Sequence, residues 1–273
     1  MEVRLCNKDN VVCITNTSCK TKCITIARIE LSKDDFKEFI SENINLDRIV
    51  FSAVGNLSLN QFKRLTEKYL KEIPLIKNAP KREKFVDYKP TVVSREKRSE
   101  QALCVIGRTT FDIHNPEKYS LILLNNILGG PAMNSRLNLA LREKRGFVYS
   151  IESGFTPYTD SGVFSIFFGT RPDRLNKSIA LVKKELNILK EKKLGIRQLS
   201  KGKEQLIGQL QILEENNSHQ MIKLASNQLD YGRIESIDEK VNRIRNISSS
   251  DILGVANELF DDNKMSILTY NPI

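Results

Sequence analysis

The 273-residue chain has no tryptophan and only two histidines, His114 and His219. Neither stands in an H-E-x-x-H or H-x-x-E-H spacing, the patterns that put two metal-binding imidazoles on one helical face. The chain therefore holds no zinc-peptidase motif of its own. There is no G-x-S-x-G elbow to expose a serine nucleophile, and no cysteine has a histidine beside it. Gly129-Gly130 runs into Pro131 rather than Gly-Lys-Ser/Thr, so no phosphate loop is present. No apolar run approaches the roughly eighteen residues that span a bilayer. The opening Met1-Glu2-Val3-Arg4-Leu5-Cys6 lacks the basic-then-apolar order of a secretory signal.

Acidic residues are the next shortfall: 33 against 43 Lys and Arg, a formal charge of +10. The basic clusters, at Lys81–Lys84, Arg95–Arg98 and Lys183–Lys203, have Glu interleaved, and the last follows a helical period. No zinc-finger, RNP or basic-zipper pattern accompanies them. The charge reads as a basic solvated surface, with no nucleic-acid partner and no membrane partner expected. Cysteines number five. Cys6, Cys13, Cys19 and Cys23 lack the paired C-x2-C knuckles of a zinc site, and an odd total fits free thiols in a reducing compartment. Cys104, in an apolar stretch, reads as a small buried hydrophobe. A soluble, cytoplasmic chain is the expectation, although an N-terminal truncation would remove any targeting segment.

What is present is ordinary globular material, 40% hydrophobic and 28% charged. Val11-Val12 and Ile24-Thr25-Ile26 suggest short strands. Ser32 followed by Asp34 and Asp35 predicts a capped helix, with Phe36, Phe39 and Ile40 as its apolar face. Residues 48–54 read as a short buried strand, and Ser58 caps a second helix with Phe62, Leu65, Tyr69 and Leu70 in its stripe. Residues 76–100, charged and holding Pro80 and Pro90, read as a connector. Beyond it come a strand at 102–107, a helix at 116–128, and a helix from Asn134 or Ser135 to about Lys144. A hairpin of 147–155 with 162–168 follows, then helices near 172–193, 196–214, 216–231 and from Ile237. The class is α+β, an antiparallel-rich sheet packed by helices.

The end of the chain repeats its beginning. Ser248 lies 216 residues after Ser32, and at that offset Asp35 matches Asp251, Glu42 matches Glu258 and Phe51 matches Ile267. A capped helix, an acidic first turn and a short strand recur in one order. The offset divides the chain into a helix-strand-helix remnant of one unit, 1–80, a linker, 81–98, and a complete second unit, 99–273. Most of the first unit would then lie ahead of residue 1.

Leu128-Gly129-Gly130-Pro131-Ala132-Met133-Asn134-Ser135-Arg136-Leu137, then Leu141-Arg142-Glu143-Lys144-Arg145-Gly146-Phe147-Val148-Tyr149-Ser150, resembles the second homologous domain of the M16 zinc metallopeptidases. That group includes the pitrilysin, insulinase and mitochondrial-processing-peptidase types. The resemblance implies two domains of similar fold facing one another around a chamber. Zinc would be held by an H-x-x-E-H helix of the first domain, whose Glu acts as general base. It also implies that Arg142 and Tyr149 reach across to hold substrate and stabilise the developing oxyanion. Because the zinc motif is absent here, the chain is expected to be the substrate-chamber half of an M16-like peptidase and inactive alone. Its partners would be a peptide or protein substrate and a homologous zinc-bearing domain or subunit, with room for an oligomer. The alternative is a non-catalytic interaction subunit in which Arg142 and Tyr149 are structural. Gly129, Gly130 and Gly146 read as turn residues.

Overall fold

The computed structural model describes residues 2–6, 11–15, 32–43, 49–71, 85 and 87–273. The expected strand at 24–26, Cys19, Cys23 and the basic cluster at 81–84 lie outside the described residues. Two compact units emerge, one from Met1–Val50 and Ser58–Pro80, the other from Phe51–Leu57 and Lys81–Ile273.

In the first unit, strands β1 (Glu2–Cys6) and β2 (Val11–Thr15) form an antiparallel pair running from Glu2↔Thr15 to Cys6↔Val11. Helix α1 (Lys33–Asn43) starts where the cap predicts. The Asp35 N–H donates to Ser32 Oγ at 3.2 Å and the Ser32 N–H to Asp35 Oδ2 at 2.6 Å, so two orphan donors are satisfied reciprocally. Helix α2 (Leu59–Leu70) carries the same device from Ser58 and Gln61. The strand expected at 48–54 does not form: the described residues 49–54 are irregular. An apolar run becomes a strand only when another strand satisfies its backbone groups, and no described strand pairs with this one.

The second unit is built on a five-stranded sheet in the order β3-β7-β4-β6-β5. Its strands are β3 (Val92–Lys97), β4 (Ala102–Thr110), β5 (Val148–Pro157), β6 (Gly162–Thr170) and β7 (Ser266–Pro272). β3 runs parallel to β7 and every other pairing is antiparallel. β3 lies in the stretch expected to be a linker. Its largely exposed Val92-Val93-Ser94-Arg95-Glu96-Lys97 has no strong alternation, and only pairing with β7 some 175 residues onward reveals it.

Alternation along the strands sorts the sheet into two faces. Ala102, Cys104 and Ile106 of β4, with Phe164, Ile166 and Phe168 of β6, are fully or nearly buried. Helices α3 (Lys118–Gly129), α4 (Leu175–Glu191) and α8 (Ser249–Leu259) supply much of the rest of that core, among them Leu121, Leu124, Val182, Leu186, Val255 and Leu259. Full burial of each such side chain is worth about 1.5–3 kcal/mol. Helices α5 (Ile196–Glu214), α6 (Asn217–Tyr231) and α7 (Ile237–Asn246) follow, starting within a residue or two of where the sequence puts them. On the opposite face Val163 and Phe167 remain partly exposed. Among the described residues no helix is long and apolar enough to cross a membrane.

Candidate functional site

Helix α3 ends where its C-terminus meets β5. A Cβ on Gly129 would stand 2.7 Å from Ser153 Oγ and 2.8 Å from Ser153 N. One on Gly130 would stand 2.7 Å from the Asn126 carbonyl oxygen. These two glycines are thus required by close packing, and Gly130 has an ordinary negative φ of −62°. Of the three glycines expected in turns, Gly146 is the one whose backbone is left-handed, at φ +57°.

Between these glycines lies the helix expected from Asn134 or Ser135. It begins at Arg136 and is π-helical over Asn138–Glu143. The Lys144 N–H donates to the Leu139 carbonyl at 3.1 Å, five residues back. Phe147 N–H reaches the Leu141 carbonyl at 2.9 Å and Gly146 N–H the Arg142 carbonyl at 2.8 Å. Both closing bonds span one residue more than a Schellman cap does. Arg145 turns its guanidinium back to donate to the Ala140 carbonyl at 2.8 Å, satisfying a group the widened turn would orphan. Arg142 sits in this turn with its side chain 41% exposed, its Nε 3.6 Å from Glu143 Oε1.

A second irregularity follows at once. In β5, Val148 pairs with Thr170 and Ile151 with Phe168, so Tyr149 and Ser150 together oppose Gly169. This is a β-bulge, which breaks the alternation and re-aims a side chain. Tyr149 is 82% exposed. The chain entering the bulge is anchored at Phe147: Thr170 Oγ1 donates to the Phe147 carbonyl at 2.6 Å, and the Arg174 guanidinium lies 5.1 Å from the Phe147 ring centre. The structure therefore places both sequence-predicted site residues on adjoining elements, each presented by a local break in regular structure. No hydrogen bond joins the two side chains. A guanidinium offers five donors in a rigid fork and a phenol one neutral donor, a pair suited to a carbonyl or carboxylate oxygen.

Sequence reading missed the π-helical turn and the bulge opposite Gly169. Gly146, ending a basic run, is the only local signal of the special helix end, and nothing local marks the bulge. The histidines fall elsewhere and apart. His114 is exposed, its ring edge-on to Tyr231 at 5.9 Å, and exposed His219 donates its backbone N–H to the capping Asn216 side chain at 3.0 Å. Among the described residues no three His, Cys, Asp or Glu side chains converge as metal ligands. The donor set of these residues does not fit a zinc ion.

Residues 30–206 match the peptidase M16 inactive domain. An uncharacterized zinc protease of Bacillus subtilis is 30% identical over 84% of this chain and 56% of its own length. One from Rickettsia bellii is 27% identical over 86% of this chain and 56% of its own. The chain thus spans little more than half of these relatives. A crystal structure of a peptidase M16 inactive domain from Pseudomonas fluorescens shares the fold, with a TM-score of 0.77 at 21% identity. It covers 89% of this chain and 58% of that one. A protease structure from Helicobacter pylori is similar, with a TM-score of 0.74 at 18% identity, covering 89% and 59%.

Proposed function

The chain belongs to the peptidase M16 family, and from that premise we propose that it forms the substrate-facing half of an M16 zinc peptidase. In this reading the zinc belongs to a homologous domain or subunit, and this chain supplies Arg142 and Tyr149. The chain from β3 to Ile273 acts as the second M16 domain and residues 1–80 as the tail of a first, with the connection between them ending before β3. The observation that carries the proposal is the pairing of a π-helical turn with a β-bulge. Two successive departures from regular structure present one guanidinium and one phenol, in a chain that otherwise has few candidates for chemistry. The exposed Phe36, Phe39, Leu59 and Tyr69 of α1 and α2 agree with a remnant whose own domain lies elsewhere.

The chemistry assigned to this chain is hydrogen bonding alone. Arg142 holds a substrate carbonyl or carboxylate through paired N–H groups, and Tyr149 donates its hydroxyl proton toward an oxygen that gains charge during reaction. The test is hydrolysis of a quenched fluorescent peptide by the chain alone and by its reconstituted pair with a zinc-bearing M16 partner. Activity is expected only in the pair. Arg142→Ala or Tyr149→Phe should lower kcat/KM by about a hundredfold, the usual cost of losing an oxyanion donor. Zinc-dependent cleavage by the isolated chain would overturn the assignment of the metal to a partner. Unchanged turnover in both variants would instead favour a purely structural interaction subunit.

A further inference from the structure

A cleft of about 370 Å³ in the second unit lies behind the π-helical turn, between α5, α4 and the end of α3. That volume suits a small organic ligand. Its apolar part comes from Ile127, Leu139, Ala140 and Leu194. Its polar part is one-sided when hydrogen bonds are counted. The acceptor side chains Glu185, Gln198 and Gln205 each already take a hydrogen bond: Glu185 Oε2 takes two from Arg136, at 2.8 and 3.1 Å. Gln205 Oε1 takes one from Asn134 at 3.1 Å, and Gln198 Oε1 takes the Gly195 N–H at 3.4 Å.

Two buried donors are not so engaged. Asn126 lines the cleft, is 5% exposed, and its amide nitrogen is buried with no hydrogen-bond partner. Ser135, 2% exposed, accepts from Asn138 at 2.8 Å and has no acceptor for its own proton among the described residues. At the rim, Lys144 and Lys201 are exposed and have no acidic partner among the described residues. With Arg136 and Glu185 neutralising each other, the lining carries two uncompensated positive charges. A buried donor without a partner costs about 1–3 kcal/mol, so an occupant that brings acceptors is favoured.

We propose that this cleft binds a carboxylate carried on a small apolar body, as presented by a peptide ending in an aliphatic residue or by a short aliphatic acid. The carboxylate accepts from the Asn126 amide and the Ser135 hydroxyl under the field of Lys144 and Lys201, and the aliphatic group covers Leu139 and Leu194. The site stands on the cleft's own geometry and not on the role proposed for Arg142.

Calorimetric titration of the full chain with N-acetyl-L-leucine and with isovalerate tests this, each paired with its uncharged amide. Both acids are expected to bind, with the amides about tenfold or more weaker. Lys144→Gln combined with Lys201→Gln should weaken the acids by about tenfold, while Lys177→Gln, an exposed lysine outside the cleft, should change nothing. Binding of N-acetyl-L-leucine alone would assign the site to peptide ends, and of isovalerate alone to free acids. No binding by either acid up to about 10 mM would overturn the proposal. So would amides that match the acids, or a double variant that binds as the parent does. The two lysines are exposed, so their replacement does not threaten folding.

Discussion

Cys104 shows how far a single side chain can be governed by its surroundings. It is fully buried between β6 and β7, and desolvation pushes its thiol from an ordinary value near 9 up to about 12. Above pH 9 the unfolded chain releases this proton while the folded chain keeps it. The unfolded state then binds fewer protons, and stability falls as pH rises toward 12, by about 1.4 kcal/mol per pH unit from this group. Urea midpoints measured between pH 9 and 11 should decline, less steeply in Cys104→Ala. Glycines divide just as sharply by environment. Gly129→Ala should cost about 1–3 kcal/mol in urea unfolding, because its Cβ would meet Ser153. Gly208→Ala, in the middle of α5 with nothing within 4 Å, should stabilise by about 0.5–1 kcal/mol.

Helix caps make the repeat physical. The Asp251 N–H meets Ser248 Oγ at 3.2 Å and the Ser248 N–H meets Asp251 Oδ2 at 2.7 Å, nearly the distances of the Ser32–Asp35 pair. Yet the two helices sit differently: α8 buries Ile252, Val255, Ala256 and Leu259, whereas residues 33–41 of α1 are all exposed. Ser248→Ala should therefore lower global stability by about 1 kcal/mol, and Ser32→Ala should leave the main unfolding transition unmoved. Caps, apolar periodicity and the Pro157–Asp160 turn are written within a few residues, which is why α1 to α8 and the β5–β6 hairpin were legible. Arg142 and Tyr149 were singled out by a sequence resemblance; the backbone that presents them was not. A π-helical turn depends on which carbonyl each N–H finally selects, and a bulge depends on a partner strand. β3 was hidden and the strand at 48–54 over-read for the same reason, since both hinge on distant pairing.

Among the described residues, the buried core of the second unit contains none before Ala102. Deleting residues 1–50, which spares the Phe51–Leu57 part of that unit, should move Tm by no more than about 4 °C in a calorimetric scan, since about 1 kcal/mol shifts a domain of this size by that much. Binding of an apolar dye should fall with the loss of exposed Phe36, Phe39 and Ile40.

The sheet order has a consequence for how the molecule is made. β3 and β4 are neighbours in sequence, joined by residues 98–101, and they run in opposite directions as a hairpin would. β7 nevertheless lies between them, holding them about two strand spacings, roughly 9–10 Å, apart. The nascent chain meets its nearest available partner long before the correct one exists. Each strand must forgo that early zip, because an embrace of β3 by β4 would shut the slot that β7 has to enter. The short link at 98–101 then closes over the inserted strand like a clasp, with the Ile273 N–H fastened to the Lys97 carbonyl at 3.3 Å.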